Sequence, residues 1–219
     1  MVNVLWKDNT MRIVHKSTVY EKYIKRLFDI ISALLAIGLF WWLFLILAIV
    51  VRIKLGSPIL FRQSRPGKDG RLFDMIKFRT MTNEKDENGK LLSDEQRLTK
   101  FGKWLRATSF DELPEIFLIL EGKLSLIGPR PLLVSYLPLY NQHQMRRHEV
   151  KPGLTGYAQV NGRNNLSWED KFDLDVWYVD HISFATDLKI LFRTVGIVLK
   201  REGIHSETSV TMEDFTGGN

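Results

Sequence analysis

The sequence predicts an α+β fold attached to a membrane by one inserted helix. Two features predict it: an uncharged apolar run at 30–51, and a mixture of strand and helix patterns after it without an internal repeat. A length of 219 residues allows one domain with an appendage, and that domain can bury a core. We divide the chain into an N-terminal extension (1–22), a membrane-inserted helix (23–54) and a cytosolic domain (55–219).

The apolar run extends from Ile30 to Val51 and contains 22 residues without a charge. A helix of this length extends roughly 33 Å, which is enough to cross a bilayer core of about 30 Å. A buried core helix is the alternative, but the run has no polar face. A cleaved signal peptide is disfavoured because a long segment precedes the run and no small-residue cleavage pattern follows it.

Positive charges lie on both sides of the run. Lys25 and Arg26 precede it, and Arg52 and Lys54 follow it. Because positive charge marks the cytoplasmic side of a membrane, a helix that enters one leaflet and turns back satisfies both flanks. We therefore expect a re-entrant helix, with Lys25, Arg26 and Asp29 as its membrane anchor. Asp29 is expected to pair with these two cations within one helical turn at the headgroup level.

The net charge of +6 is concentrated near this helix. Residues 1–54 carry +5, whereas residues 55–219 carry +1. This distribution excludes a basic nucleic-acid-binding domain and favours contact with an anionic membrane surface. The absence of cysteine excludes disulfides and thiolate metal sites.

Turn residues predict a β-hairpin over residues 57–81. Pro-Gly and Asp-Gly pairs lie at 66–70, with residues that favour strands on both sides.

Capping residues and helical spacing predict the helices. Ser93 and Gln96 have the spacing of a capping box, for a helix that continues to about Ala107. The apolar positions of this helix, flanked by lysine and arginine, suit either a membrane surface or a core-packed helix with a solvated basic face. Further helices are predicted over 167–180 and 186–201.

The adjacent carboxylates Asp111 and Glu112 are the first candidate site. Ser109 and Glu112 also have capping-box spacing, and Pro114 is tolerated only near a helix start. Both acids then fall in the first helical turn, where the helix dipole favours their anionic forms. Neighbouring helical residues point about 100° apart, so one acid could face a substrate while the other binds a metal or a donor. A solvated helix start is the alternative explanation.

Cationic residues in four other segments favour a site. Arg130 lies between Pro129 and Pro131, which restrict the backbone around a guanidinium suited to phosphate. Lys77 and Arg79 occupy alternate positions of the second hairpin strand, and therefore the same face.

The other two cationic segments follow later in the chain. Asn161 begins an Asn-Gly turn that precedes Arg163, and His148 ends the basic run "MRRH". Each feature alone is more often a turn or solvated surface. Together with the acid pair and the membrane helix, they indicate a diphosphate substrate handled at a membrane. The sequence has no glycine-rich phosphate loop of the Rossmann or Walker kind, and its histidines lack zinc-site spacing.

Six motifs in order resemble those of one known family. They are "KRLFDI", "RPGKDGRLFDMIKFRTM", "DELPEIFLIL", "GKLSLIGPRPLL", "HEVKPGLTGYAQVNGRN" and "WEDKFDLDVWYV". The chain is similar, from about Tyr23 to its C-terminus, to the small monotopic phosphoglycosyl transferases of the bacterial sugar transferase family. Within that family it is most similar to the initiating enzyme of bacterial N-linked protein glycosylation, also in its tail "TMEDFTGGN".

The resemblance implies a reaction and the roles of individual residues. Such enzymes transfer a phosphosugar from a UDP-sugar to polyprenol (undecaprenyl) phosphate and release UMP, as the first membrane step of glycoconjugate assembly. Asp111 and Glu112 match the family's acid dyad, whose aspartate forms a covalent phosphosugar intermediate with the help of Mg²⁺. Arg130 matches a phosphate-binding arginine. The subgroup implies an N-acetylated amino sugar, and downstream glycosyltransferases as possible partners.

The resemblance also implies a location in the cell, and the sequence differs from the family at one position of the membrane helix. Family members act at the bacterial inner (cytoplasmic) membrane with the catalytic domain on its cytosolic face. Their helix breaks at a Ser-Pro pair, where this chain has Trp41 and Trp42.

Two other classes of function stay open: a membrane-anchored polysaccharide-assembly protein without activity, and a membrane-tethered diphosphate hydrolase.

Overall fold

A computed structural model describes residues 15–162, 166–200 and 214–217. It has the expected α+β architecture: one long N-terminal helix, a β-hairpin, a second two-stranded sheet and shorter helices around them. The long helix, α1 (Lys25–Leu55), continues from a π-helical turn at Tyr20–Ile24. Within the described ranges it is the one helix long and apolar enough to cross a membrane.

Helix α1 has no break in its helical backbone, and its N-terminal and C-terminal parts both contact the rest of the protein. Its N-terminal part packs through Ala33 on the hairpin and on α4 (Glu115–Glu121), and its C-terminal part packs through Leu47 and Val51 against Phe78 and Leu105. Both ends of a helix roughly 46 Å long therefore contact the same domain. Its other side exposes a broad apolar surface. The residues of that surface include Leu27, Ile31, Leu34, Leu35, Leu39, Trp41, Trp42, Leu45, Ile46, Ile49 and Ile53.

The predicted hairpin is confirmed. Strands β1 (Leu60–Pro66) and β2 (Leu72–Phe78) pair antiparallel, with Leu60 opposite Phe78 and Pro66 opposite Leu72. The turn places Asp69 at a φ of 56°, in the left-handed region that aspartate tolerates better than most residues. Phe73 and Met75 of β2 join the core beneath α1.

The helix predicted from Ser93 to about Ala107 is two helices. The Ser93 capping box is confirmed and begins α2 (Asp94–Arg97), but Leu98 is extended and forms an isolated bridge with Met81. Thr99 then caps a second helix, α3 (Lys100–Ala107). The pairing of Leu98 with a distant residue interrupts a pattern that is locally helical.

The second sheet brings two loops into backbone contact. Strand β3 (Ser125–Ile127), which follows α4 (Glu115–Glu121), pairs parallel with β4 (Gly153–Thr155). A Cβ atom added at Gly153 would lie 2.0 Å from the backbone nitrogen of Gly128, so only glycine allows this approach.

The C-terminal helices complete the core. After the short helices α5 (Gln142–Met145) and α6 (Tyr157–Asn161) come α7 (Trp168–Asp180) and α8 (Phe184–Lys200). These last two correspond to the predicted helices at 167–180 and 186–201, although α8 begins two residues earlier. Phe172 of α7 packs in an aromatic cluster with Tyr136, Tyr140 and Phe215, so the described segment 214–217 contributes Phe215 to the core.

Candidate active site

Asp111 and Glu112 lie in a 3₁₀ turn, Phe110–Glu112, directly before α4. The predicted Ser109 cap is wrong, because Ser109 adopts a left-handed conformation (φ 57°) and its side chain caps nothing. Pro114, in helical conformation, is the residue before α4. A non-glycine residue with positive φ costs free energy and often marks a functional site. Here it turns the chain sharply just before the acid pair.

Two cations hold Glu112. Lys77 Nζ and an Arg130 guanidinium nitrogen each donate to Oε1 of Glu112 at 2.5 Å. The other terminal nitrogen of Arg130 lies 3.5 Å from Oε2, giving a two-point contact. Although burial opposes ionisation, the charges of Arg130 and Lys77 hold the pKa of Glu112 well below its usual range. Glu112 is therefore a fixed anion that orients both cations.

Asp111 is buried at 8% exposure, and no hydrogen-bond donor within the described ranges contacts its carboxylate. Burial, with the negative charge of Glu112, raises the pKa of Asp111 to about 6. From the sequence, we expected the helix dipole to favour the anionic form of Asp111. The structure corrects this, because burial and the charge of Glu112 outweigh the effect of the dipole on the pKa. The carboxylate is still mostly ionised at neutral pH, and it is not committed to any partner described here.

The backbone that carries Arg130 is fixed on both sides. Pro129 and Pro131 are buried, and the Pro129 carbonyl accepts a hydrogen bond from the Gly153 amide at 3.0 Å. Arg147, buried in an ion pair with Asp175, donates to the Arg130 carbonyl at 2.7 Å. The guanidinium of Arg130 is thereby directed at the acid pair from a rigid loop.

The other predicted phosphate-binding residues do not join the acid pair. Arg79 follows the end of β2 and turns away from Lys77, donating to the Ser57 carbonyl at 2.9 Å. His148 is buried and donates to the Gly67 carbonyl, while burial and Arg147 lower its pKa to about 3. Asn161 bonds to Tyr157 and Arg193. Their predicted role in phosphate binding stays a prediction, and Arg163 lies outside the described residues.

The predicted membrane anchor has a different geometry from the one expected. Lys25 pairs with Asp187 of α8 at 2.6 Å, and Arg26 donates to two carbonyls at the C-terminal end of α4. Asp29 accepts hydrogen bonds from the side chain of Ser125 and from the backbone amide that follows it. The expected pairing within one helical turn is wrong: the three side chains attach α1 to the domain.

Sequence reasoning missed three charged residues of the site. Glu115 is 2% exposed and its Oε1 lies 3.3 Å from Lys77 Nζ; burial and the charge of Glu112 raise its pKa to about 7. Its position in "DELPE", four residues after Asp111, is the signal that could have identified it. Arg106 is close enough to Asp111 for its positive charge to favour the ionised carboxylate. Burial lowers the pKa of Arg65, and Arg130 is close enough for its charge to lower that pKa further.

The site offers few ligands for a metal by itself. In the part of the chain that the structure describes, no three carboxylate or histidine side chains form a metal-holding group. Mg²⁺ typically binds through one or two carboxylates together with substrate phosphates. The free carboxylate of Asp111 fits that mode, whereas Glu112 is already compensated by Lys77 and Arg130.

Comparison with known proteins identifies the family of this chain. The family model described as bacterial sugar transferase matches residues 20–201. A Bacillus subtilis protein named as an uncharacterized sugar transferase, EpsL, is 57% identical over 194 residues, which is 89% of this chain and 96% of that protein.

Two further relatives carry more specific names. A Klebsiella pneumoniae UDP-glucose:undecaprenyl-phosphate glucose-1-phosphate transferase is 41% identical over 181 residues (78% of this chain, 39% of that protein). An Aeromonas hydrophila UDP-N-acetylgalactosamine-undecaprenyl-phosphate N-acetylgalactosaminephosphotransferase is 34% identical over 200 residues (88% and 47%). The chain spans less than half the length of these two proteins. From the extent of the match and the identities, the chain belongs to the bacterial sugar transferase family.

Proposed function

We propose that this protein transfers a phosphosugar from a UDP-sugar to undecaprenyl phosphate, giving undecaprenyl-diphosphate-sugar and UMP. The observation that carries the proposal is the difference between the two neighbouring carboxylates. Glu112 is held by two cations, whereas Asp111 is buried and accepts no hydrogen bond from the residues described. The names of the Klebsiella and Aeromonas relatives support the same reaction class.

In the first step, an oxygen of Asp111 attacks the phosphorus that carries the sugar. A P–O bond to that phosphorus forms, the diphosphate bond breaks, and its electron pair leaves with UMP. Arg130, oriented by Glu112, neutralises charge on the transferring phosphate, and Lys77 and Arg106 add positive charge around it. Without such charges an anionic carboxylate would not approach an anionic phosphorus.

In the second step, a phosphate oxygen of the lipid attacks the same phosphorus. The bond to Asp111 breaks, and the carboxylate is restored. Ping-pong kinetics follow from such a covalent intermediate. Because the lipid acceptor cannot leave the bilayer, the site must lie at the membrane surface.

Mg²⁺ is part of this proposal, with Asp111 as the residue that fits it and Glu112 as a weaker candidate. When bound, it would supply further charge neutralisation to the diphosphate.

We also propose that the helix sits in the bacterial inner membrane with both ends on the cytosolic face. The contacts of both ends of α1 with one domain, and its two basic flanks, support this topology.

For the sugar, we propose an N-acetylated amino sugar. The names of the relatives include both glucose and N-acetylgalactosamine, so this rests on the subgroup resemblance. A panel of UDP-sugars, assayed for UMP release with undecaprenyl phosphate, tests it, and preference for UDP-glucose or UDP-galactose would refute it. Downstream glycosyltransferases would then extend the product.

The mechanism is tested without the lipid. Wild-type protein with UDP-sugar and Mg²⁺ should exchange labelled UMP into UDP-sugar and gain the mass of one phosphosugar, and Asp111→Asn should do neither. Asp173→Asn, which changes an exposed aspartate on α7, is the matched control. If the wild type shows neither exchange nor adduct but still forms the lipid product, direct transfer through a ternary complex replaces this mechanism.

A further inference from the structure

A basic cavity lies at the N-terminal end of α1, away from the acid pair. Its volume is about 260 Å³, and it is enclosed by the start of α1, the hairpin turn and the loop before β4. Five cations line it: Lys22, Lys25, Arg26, Lys68 and Lys151. Two carboxylates, Glu21 and Asp29, line it as well.

Both carboxylates and two of the cations have partners within the protein. Glu21 bonds to His15, and Asp29 accepts from Ser125. Lys25 is paired with Asp187, and Arg26 donates to backbone carbonyls of α4.

The other three cations are uncommitted. Among residues 15–162, 166–200 and 214–217, no acceptor bonds to the amines of Lys22, Lys68 or Lys151. The positive charge of the cavity is therefore not balanced by the residues described.

Lys151 is the most constrained of these amines. A Cβ added at Gly122 would lie 3.5 Å from its Nζ and 3.4 Å from the Arg26 guanidinium, so the two cations converge over this glycine. Burial, together with the charges of Arg26, Lys68 and Lys25, lowers the pKa of Lys151. Cations held this close repel one another, and an anion between them would relieve the repulsion.

The cavity is separate from the candidate active site. None of its lining residues belongs to the group around Asp111. The acid pair precedes the N-terminal end of α4, whereas Arg26 contacts the C-terminal end, about 10 Å away along seven residues. The volume is also below the roughly 300–1,000 Å³ of typical small-molecule sites, so it suits a headgroup better than a nucleotide sugar.

The surroundings of the cavity indicate where such an anion would come from. Tyr23, Ile24 and Leu27 lie between and beside its helical lining residues and are 51–70% exposed. They continue into the exposed apolar surface of α1, so an anion in the cavity would sit at the edge of the surface that contacts lipid.

We propose that this cavity binds a phosphate group, carried by the headgroup of an anionic membrane lipid or free in solution. Lys22, Lys68 and Lys151 are its ligands, and Arg26 adds charge. The site is independent of turnover, so its test does not depend on the proposed reaction.

The experiment measures binding to the full chain in neutral detergent micelles, by calorimetry. The probes are dihexanoyl phosphatidic acid, inorganic phosphate and, as a control lipid, dihexanoyl phosphatidylcholine. We expect Lys68→Gln/Lys151→Gln to weaken phosphatidic acid binding about tenfold or more. Lys85→Gln/Lys90→Gln, which removes two exposed charges from the loop after the hairpin, should leave it unchanged. Arg130→Gln should also leave it unchanged, which separates this site from the active site.

The two sources give different results. Displacement of the lipid by inorganic phosphate identifies a free anion as the ligand, whereas binding of phosphatidic acid alone identifies a headgroup. Equal affinity of the cavity variant and the matched control for phosphatidic acid overturns the proposal. It is also overturned if phosphatidylcholine binds as tightly as phosphatidic acid and the variants do not change that binding. Thermal unfolding without ligand checks the fold of each variant. If the double variant unfolds, the exposed Lys22→Gln decides the question, and unchanged affinity there overturns the proposal.

Discussion

The ion pair between Lys25 and Asp187 predicts how strongly α1 is attached to the domain. Nζ of Lys25 lies 2.6 Å from Asp187 Oδ2, and the side chains are 9% and 1% exposed. The hydroxyl groups of Tyr20 and Tyr178 donate to the same carboxylate, each at 2.7 Å. Asp187→Asn keeps the shape and an acceptor oxygen but removes the charge. It leaves the Lys25 ammonium buried and unpaired.

Breaking a buried pair by changing one partner costs about 3–5 kcal/mol. For a chain of this size, 1 kcal/mol corresponds to about 2–4 °C, so the expected fall in Tm is roughly 6–20 °C. The matched control is Asp173→Asn, whose partner His143 lies on the surface with 53% exposure. That exposed contact is worth about 1 kcal/mol or less.

The assay is thermal unfolding of the full chain in detergent, followed by tryptophan fluorescence. Lys25→Met combined with Asp187→Asn removes the buried, unpaired ammonium group. The double variant should therefore recover at least half of the stability that Asp187→Asn loses. A Tm for Asp187→Asn equal to that of Asp173→Asn would refute the reasoning. A double variant no more stable than Asp187→Asn would show that the hydrogen bonds to Asp187, not the charge pair, hold α1.

Three further predictions follow from the site, the membrane helix and the core. Arg130→Lys keeps the charge but loses the two-point contact, so kcat/KM should fall at least about tenfold, or 1.4 kcal/mol; near-normal UMP release would reduce Arg130 to a general positive charge. Single cysteines at Ser17 and Ser57 should both resist a membrane-impermeant thiol reagent applied from outside the cell, and labelling of position 17 alone would demonstrate a spanning helix. His148 stays neutral in the folded state down to a pKa of about 3, whereas it binds a proton below about pH 6.5 when unfolded. Stability should thus be fully present above pH 6.5 and fall by about 2 kcal/mol on acidification to pH 5. Urea unfolding should show this loss in the wild type but not in His148→Gln, and an equal pH dependence in the two proteins would contradict it.

Features fixed by local chemistry could be predicted from the sequence. The hairpin followed from the turn pairs at 66–70, and the cap at Ser93 from its spacing to Gln96. Within the site, the acid pair and Arg130 were identified, because side-by-side carboxylates and an arginine between two prolines are unusual patterns. Their grouping around one point is a finding of the structure.

Features that depend on distant partners could not be predicted. Lys77 and Arg79 share a face only while the strand continues, and the strand ends at Phe78, so Arg79 turns to Ser57. Asp29 lies near Lys25 in sequence, but its hydrogen-bond donors are about a hundred residues away. Its partners depend on how α1 lies across the domain, which short-range spacing does not encode.

The position of α1 has a consequence for the design of truncated proteins. Ala33, Leu47 and Val51 of α1 are at most 3% exposed, because they pack against hairpin and helix residues of the domain. A chain that began at residue 56 would leave Phe78 and Leu105 without their apolar cover, and would aggregate rather than yield a soluble enzyme. The segment that holds the protein in lipid is thus also a structural element of the enzyme, and solubilising it requires polar substitutions on the exposed side of α1 instead of its deletion.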